Sequence, residues 1–282
     1  MKRVLAVHDI SGVGKCSLTV ALPIISALGT ECSVLPTAVL STHTGGLSGY
    51  TFRDLTEDAR AMFAHWRALG VRFDALYTGY ICSEAQLEAV REIAETLRAD
   101  GALVVIDPVM ADGGRLYSRL PAGFPDKMRG LCAAADIITP NITEASLLTG
   151  REYAGEDVSE AQAEDTLFAL RDVTRGAAVL TGVRRGDKLG AGVLGRESAR
   201  AEFRFAPAER GTFPGAGDVF ASVLTGAVLR GRSIESAVAD AVGFTAECVK
   251  RTAAAGSDPR FGLDFESGLA ALGRRINDIQ DA

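Results

Sequence analysis

Apolar positions along the chain fall into two alternating regimes. The short aliphatic runs Val4 to Val7, Ser33 to Leu40 and Ala75 to Tyr80 are each followed by a longer stretch at helical spacing: Leu18 to Leu28, Thr56 to Leu69 and Ser83 to Ala99. Leu103 to Ile106 and Asp136 to Thr139 are apolar without period-two polarity, the pattern of strands covered on both faces. Strands separated by helices predict parallel pairing, because a parallel connection needs a long crossover. Thr56 followed by Glu57 and Asp58, and Ser83 followed by Glu84, place acids where helix N-termini are electropositive. Beyond residue 170 the pattern changes. Ala177 to Thr181, Ala191 to Leu194 and Ala201 to Phe205 follow in close succession and predict an antiparallel edge. Three helices are expected after them, Gly215 to Leu229, Ile234 to Arg251 and Phe265 to Ile279, with Ala237, Ala241 and Ala246 allowing close packing.

The expected fold class is α/β: a doubly wound, mostly parallel central sheet flanked by helices, with antiparallel edge strands. No Pro- or Ser-rich linker and no internal repeat interrupts it, so a single domain over 1–282 is expected. In such sheets ligands bind beyond the carboxyl ends of the strands.

Composition narrows the function. With 47% hydrophobic residues in 282, the chain can bury a large core, and a net charge of -6 without a basic stripe argues against nucleic acid as a partner. No apolar run reaches the roughly 18 residues of a membrane span, and the four apolar residues before His8 are too few for a signal peptide, so a cytoplasmic location is expected. Cys16, Cys32, Cys82, Cys132 and Cys248 form no Cys-x-x-Cys pair and read as buried thiols rather than zinc or redox ligands. Asn141-Ile142-Thr143 matches a glycosylation sequon, which is irrelevant in the cytoplasm.

The strongest chemical signal is Gly211-Thr212-Phe213-Pro214-Gly215-Ala216-Gly217-Asp218, which runs directly into a helical pattern. Glycines admit close approach of a ligand, and a helix starting there offers N–H groups and a positive dipole end to an anion. Asp218 stands beside those donors, where a general base acting on an alcohol belongs. The residues alone equally permit a tight turn with an N-terminal helix acid. At two strand ends lie Asp107, before Pro108-Val109-Met110, and Thr139-Pro140-Asn141-Ile142-Thr143-Glu144. Asp107 and Glu144 could face one Mg²⁺, which takes one or two protein carboxylates together with phosphate oxygens, or each could simply cap its element. The loop His8-Asp9-Ile10-Ser11-Gly12-Val13-Gly14-Lys15-Cys16 mimics a phosphate-binding P-loop, but Asp9 replaces its first Gly and Cys16 its hydroxyl residue.

Gly-Ala-Gly-Asp at 215–218 and the apolar helix after it resemble the C-terminal signature of ribokinase-like kinases. With Asp107-Pro108-Val109-Met110, Ser41-Thr42-His43-Thr44-Gly45 and Thr78-Gly79-Tyr80, the chain resembles short bacterial vitamin B6 (pyridoxal) kinases along nearly its whole length. The resemblance implies transfer of the ATP γ-phosphate to a hydroxymethyl group. It makes Asp218 the base, with Gly215, Ala216 and Gly217 holding the phosphate. Substrate contacts are expected from Asp9, Ser11, His43, Thr44 and Tyr80, and ATP contacts from Asn141, Thr181, Thr212, Gly215 and Gly217. Asp107 and Glu144 would take Mg²⁺ with ATP, a monovalent cation is an open addition, and a homodimer is implied; the apolar residues of the Leu35 to Leu40 strand either serve such an interface or belong to the core. Two departures stand out: Thr181 replaces a Lys of many pyridoxal kinases, and Pro214 stands where related kinases place Cys. Hydroxymethylpyrimidine kinase shares the same motifs and is the near alternative. A non-catalytic pyridoxal phosphate-binding protein is the alternative from another class. Arg184, Arg185 and Lys188 either neutralise ATP phosphates or belong to a solvated hairpin.

Overall fold

The computed structural model describes residues 1–277. The chain forms two compact units, Met1–Asp74 with Ala208–Ala282, and Ala75–Pro207.

The first unit opens with β1 (Arg3–Val13), α1 (Leu18–Ala27), β2 (Glu31–Thr42), β3 (Phe52–Asp54) and α2 (Thr56–Ala68). β1 and β2 pair in parallel from Arg3↔Glu31 to Val13↔Thr42, with one irregularity between His8 and Ile10. β3 adds an antiparallel edge to β2. Val4, Leu5, Ala6 and Val7 are all fully buried, as their unbroken apolar run requires. The strand continues past them because parallel pairing with β2 carries it to Val13. Thr56 begins α2 without serving as its cap: Asp54 accepts both its N–H and its hydroxyl, and Leu55 takes the N-cap position.

The second unit contains β4 (Ala75–Thr78), α3 (Glu84–Ala99), β5 (Leu103–Ile106), β6 (Ala111–Asp112), β7 (Arg115–Leu116), α4 (Phe124–Cys132), β8 (Ile137–Ile138), α5 (Ile142–Thr149), α6 (Glu160–Leu170), β9 (Ala177–Arg185), β10 (Lys188–Leu194) and β11 (Glu202–Pro207). Its strand order is β11-β10-β9-β8-β5-β4, parallel from β4 to β9 and antiparallel through β10 and β11. Ser83 caps α3 by accepting the Gln86 N–H, as its position predicts. Arg185 pairs with Glu160 and lies over the Phe205 ring, and it ends the β9 arm of a hairpin whose other arm begins at Lys188.

After β11 the chain returns to the first unit for α7 (Ala216–Leu229), α8 (Ile234–Ala255) and α9 (Leu269–Asn277). α7 packs on α1 and on α8. It approaches α1 so closely that a Cβ on Gly226 would sit 2.4 Å from a Leu28 methyl. The helix expected from Phe265 begins instead with a short 3₁₀ turn at Glu266–Gly268, and the expectation for residues 278 and 279 lies outside the described residues. The chain thus adopts the anticipated doubly wound, mostly parallel α/β arrangement with antiparallel edge strands. The strands β3, β6 and β7, only two or three residues long, and the helices α4 and α6 are additions to the elements expected from the sequence.

Candidate active site

In the first unit, β1 delivers Asp9 and Ser11, and the glycine-rich segment delivers Asp218 to the first turn of α7. Gly215 occupies the N-cap of α7 in a left-handed conformation, φ 85, and no side chain caps that helix end. Its hydrogen is also a steric necessity, because a Cβ there would lie 2.4 Å from the Lys15 carbonyl oxygen. The uncapped N-terminus therefore keeps its N–H groups and positive dipole end for an anion.

Asp218 is half-buried, and the protein packed around it pushes its carboxyl from 3.8 up to about 7. Loss of hydration is the main cause. The neighbouring Asp9 charge pushes in the same direction, and a backbone N–H from Ser17 pulls the other way. Asp9 is buried and its acidity is likewise weakened by lost hydration, against hydroxyl donors from Ser17 at 2.7 Å and Ser11 at 3.2 Å. A carboxylate near neutral acidity beside an anion-binding helix end is suited to take a proton from an alcohol attacking a phosphoryl group.

The structure brings His43 close to this loop system but commits its ring. Nδ1 accepts the Gly45 N–H at 3.1 Å, which leaves Nε2 to donate to the Arg260 carbonyl. Thr44 and Thr212 are exposed. Gly45 lies beside Pro214, so the loop after β2 borders the glycine segment. Lys15 is paired with Glu266, and its N–H bonds the Phe261 carbonyl, which is not how a phosphate-cradling lysine is used.

In the second unit the loop after β5 and the start of α5 bring Asp107 and Glu144 together. Both are buried. Glu144 is pushed well above the ordinary carboxylate range by burial and by Asp107, while the N–H groups of Asn141, Met110 and Ala111 oppose the shift. One Glu144 oxygen accepts the Met110 N–H at 3.0 Å, and the other closes a capping box with Asn141. The Asn141 side chain in turn donates to the Ala111 carbonyl at 2.9 Å. Asp107 accepts the Thr139 hydroxyl at 2.9 Å. Two repelling buried carboxylates are a donor set that a divalent cation relieves, so the pair fits Mg²⁺ accompanied by nucleotide phosphates. Among the described residues no cluster of three or more His, Cys, Asp or Glu exists to hold a metal unaided. Thr181 meets the α5 start through a bridge with Asn141, and its N–H bonds the Pro140 carbonyl. Tyr80 is half-buried, with its ring 6.4 Å from that of Tyr117.

The predicted residues thus fall into two sets: Asp9, Ser11, His43, Thr44, Thr212 and Gly215 to Asp218 in one unit, and Tyr80, Asp107, Asn141, Glu144 and Thr181 in the other. Ser17 and Thr139 escaped the sequence reading. Ser17 had a signal, a serine just before the apolar helix starting at Leu18, but that signal suggests a cap rather than a partner of the buried Asp9. Thr139 gave none, because its partner lies 32 residues away.

A family model described as phosphomethylpyrimidine kinase matches residues 22–260. The chain belongs to that family. The match runs through both units. A pyridoxine/pyridoxal/pyridoxamine kinase of Bordetella avium is 30% identical over 238 residues, covering 80% of this chain and 77% of the relative. The crystal structure of pyridoxal kinase from Lactobacillus plantarum superposes with a TM-score of 0.89 at 32% identity, covering 99% of both chains. A Bacteroides thetaiotaomicron protein crystallised with pyridoxal superposes with a TM-score of 0.90 at 36% identity, covering 96% of this chain and 95% of that one. The resemblance to ribokinase-like pyridoxal kinases is therefore borne out, and the family implies a divalent metal acting with ATP.

Proposed function

We propose that the chain phosphorylates the hydroxymethyl group of a B6 vitamer, pyridoxal above all, at the expense of ATP. The observation that carries this reading is Asp218: a carboxylate of near-neutral acidity in the first turn of a helix whose N-terminus is left uncapped by Gly215. Membership of the family and likeness to pyridoxal kinases support the alcohol acceptor.

In this reading the chain works as one kinase domain. Asp218 takes the hydroxymethyl proton as the alcohol oxygen attacks the γ-phosphorus, the new P–O bond forms, and ADP departs. Gly215, Ala216 and Gly217 hold the transferring phosphoryl group through backbone N–H donors and the helix dipole. Asn141, Thr181 and Thr212 contact ATP, and Asp9, Ser11, His43, Thr44 and Tyr80 surround the acceptor. Asp107 and Glu144 would hold Mg²⁺, which would neutralise charge on the phosphates, and a monovalent cation is an open addition. Catalysis is positioning and charge stabilisation, without a covalent enzyme intermediate.

Among the described residues no helix is long and apolar enough to cross a membrane, in keeping with work in the cytoplasm. For a homodimer, Val39 is the exposed apolar residue of β2, while Leu35 and Leu40 are spent on this chain's own core. Sedimentation measures that state directly.

The test is ADP release from Mg-ATP with pyridoxal, pyridoxine, pyridoxamine and hydroxymethylpyrimidine supplied separately, and with K⁺ varied. Preferred turnover of a B6 vitamer is expected. Turnover of the pyrimidine alone transfers the same mechanism to the substrate in the family's name. Silence with all four, together with tight binding of pyridoxal phosphate, replaces the kinase by a carrier.

A further inference from the structure

His43 joins three segments of the first unit that lie far apart in the chain. Its ring is buried; Nδ1 accepts the Gly45 N–H at 3.1 Å, and Nε2 donates at 2.5 Å to the carbonyl of Arg260, 217 residues away. The ring also packs against the loop after β1, where a Cβ on Gly14, held at φ 92, would lie 2.4 Å from its Cδ2. With an N–H facing one nitrogen and a carbonyl facing the other, the ring is fixed as the neutral Nε2–H tautomer and keeps no polar atom for a ligand.

The Arg260 carbonyl belongs to a segment that follows α8, Asp258–Gly262, with one 3₁₀ turn at Pro259–Phe261. The Phe261 carbonyl accepts the Lys15 N–H at 3.0 Å, and Gly262 bridges to Lys15. The approach is close: a Cβ on Gly262, held at φ 91, would lie 2.7 Å from the Lys15 carbonyl oxygen. That same oxygen would lie 2.4 Å from a Cβ on Gly215, so Lys15 stands between the segment and the anion cradle. Asp258 keeps the segment's own cation occupied, accepting the Arg260 N–H at 3.0 Å and its guanidinium at 2.7 Å. What the segment offers His43 is main chain, not charge. The loop after β2, in turn, runs through Gly45, Gly46 and Gly49, the last two left-handed, and such a stretch has little conformational preference of its own. The side chain that moors its first residue therefore decides where Thr44 and its neighbours stand.

We propose that His43 is a positioning residue for the acceptor: through the Arg260 carbonyl it moors the loop after β2 to the Asp258–Gly262 segment, with no ring nitrogen spent on the substrate. The proposal rests on the reading of this site as a kinase of B6 alcohols. The segment, seated on Lys15 beside the cradle, then fixes the acceptor loop relative to the phosphate, and a bound alcohol inherits that distance. Two amide replacements separate the two ring bonds, because each keeps one. Glutamine sets an N–H where Nε2 stands and keeps the bond to Arg260; asparagine sets an oxygen where Nδ1 stands and keeps only the bond to Gly45.

The test measures KM for the B6 alcohol, KM for Mg-ATP and kcat in wild type, His43→Gln and His43→Asn, with hydrogen exchange of residues 256–266 recorded for each. In His43→Asn the segment is expected to exchange faster and KM for the alcohol to rise about tenfold, the effect of one lost buried hydrogen bond. KM for Mg-ATP and kcat are expected to change by less than about twofold, since the phosphate side is untouched. His43→Gln is expected to keep slow exchange and an alcohol KM within about threefold of wild type. Equal impairment of the two variants overturns the proposal, because a ring that contacts the substrate is lost in both. An unchanged alcohol KM in His43→Asn, or a raised one with the segment's exchange unaltered, overturns it as well. Should the asparagine variant not fold, Gly262→Ala drives the same segment off Lys15 with His43 intact: a raised alcohol KM supports the proposal and a wild-type KM overturns it. A wild-type protein that turns over no B6 alcohol is a separate result, seen before any variant is made; it removes the acceptor, and this role with it.

Discussion

Asp218 concentrates two demands in one side chain. To accept a proton at neutral pH its carboxyl must not be strongly acidic, and lost hydration together with the Asp9 charge raises it from 3.8 to about 7. The pH dependence of turnover should therefore show an acid limb close to pH 7, with the rate rising as Asp218 ionises; a limb near pH 4 would place the base elsewhere. Replacing Asp218 by Asn should lower kcat by about 10²–10⁴-fold while ADP still binds. The same shift bears on stability. A carboxyl whose folded pKa is raised contributes stability that is present below pH 3.8 and is lost as pH rises toward 7, because folding then opposes ionisation. Asn carries no such cost, so the inactive variant should melt above wild type by an amount that grows between pH 4 and 7 and is constant above. A difference of about 2 kcal/mol at pH 8 is expected, measured by paired thermal melts.

At the scale of elements, two loop-to-helix junctions hold the candidate base and the acid pair, and small changes at either should be costly. Gly215→Ala adds a methyl to a residue at φ 85, within 2.4 Å of the Lys15 carbonyl. Backbone strain and displacement of the Cys16–Ser17 loop should lower stability by about 1–3 kcal/mol and abolish most turnover, read from denaturant midpoints and ADP release. At the start of α5, Glu144 uses one oxygen for the Met110 N–H and the other for the Asn141 N–H. Glu144→Gln leaves an amide nitrogen facing one of those donors. The unpaired N–H should cost about 1–3 kcal/mol, and the Mg²⁺ concentration for half-maximal rate should rise. An unchanged Mg²⁺ requirement in a folded variant would separate Glu144 from the metal and leave it a capping residue. Such junctions were only half legible in the sequence. The glycines and the acids announced themselves, but the hydrogen bonds that orient them join residues such as Asp9 and Ser17, or Asp107 and Thr139, that no local pattern pairs.

At the scale of the whole molecule, the chain leaves the first unit after Asp74, builds the second, and returns at Ala208. The candidate base and anion cradle belong to the first and the acid pair to the second. Stability features away from the site should therefore be separable from activity. Asp240, buried on α8, pairs with Arg232 at 2.9 Å and with Arg275 at 3.4 Å. Asp240→Ala strips a partly shielded pair of cations of their partner and should cost ~2 kcal/mol in unfolding free energy with kcat/KM unchanged. A matching loss of kcat/KM at a temperature where the variant is fully folded would tie that ion cluster to the site.

By itself the amino-acid sequence determined what depends on local order. The alternation of buried strands with amphipathic helices specified the fold class, because a run covered on both faces and a stripe at 3.6 residues are written in neighbouring positions. It also marked the glycine turn before α7, since glycine adopts that left-handed backbone without a Cβ penalty. Only the tertiary structure decided what depends on residues distant in the chain: that His43 spends both ring nitrogens on the backbone, that Thr139 braces Asp107, and that the Ser17 hydroxyl goes to Asp9 instead of capping a helix. Burial and hydrogen bonding set the direction of each of these groups, and both arise only when segments distant in the chain are packed together.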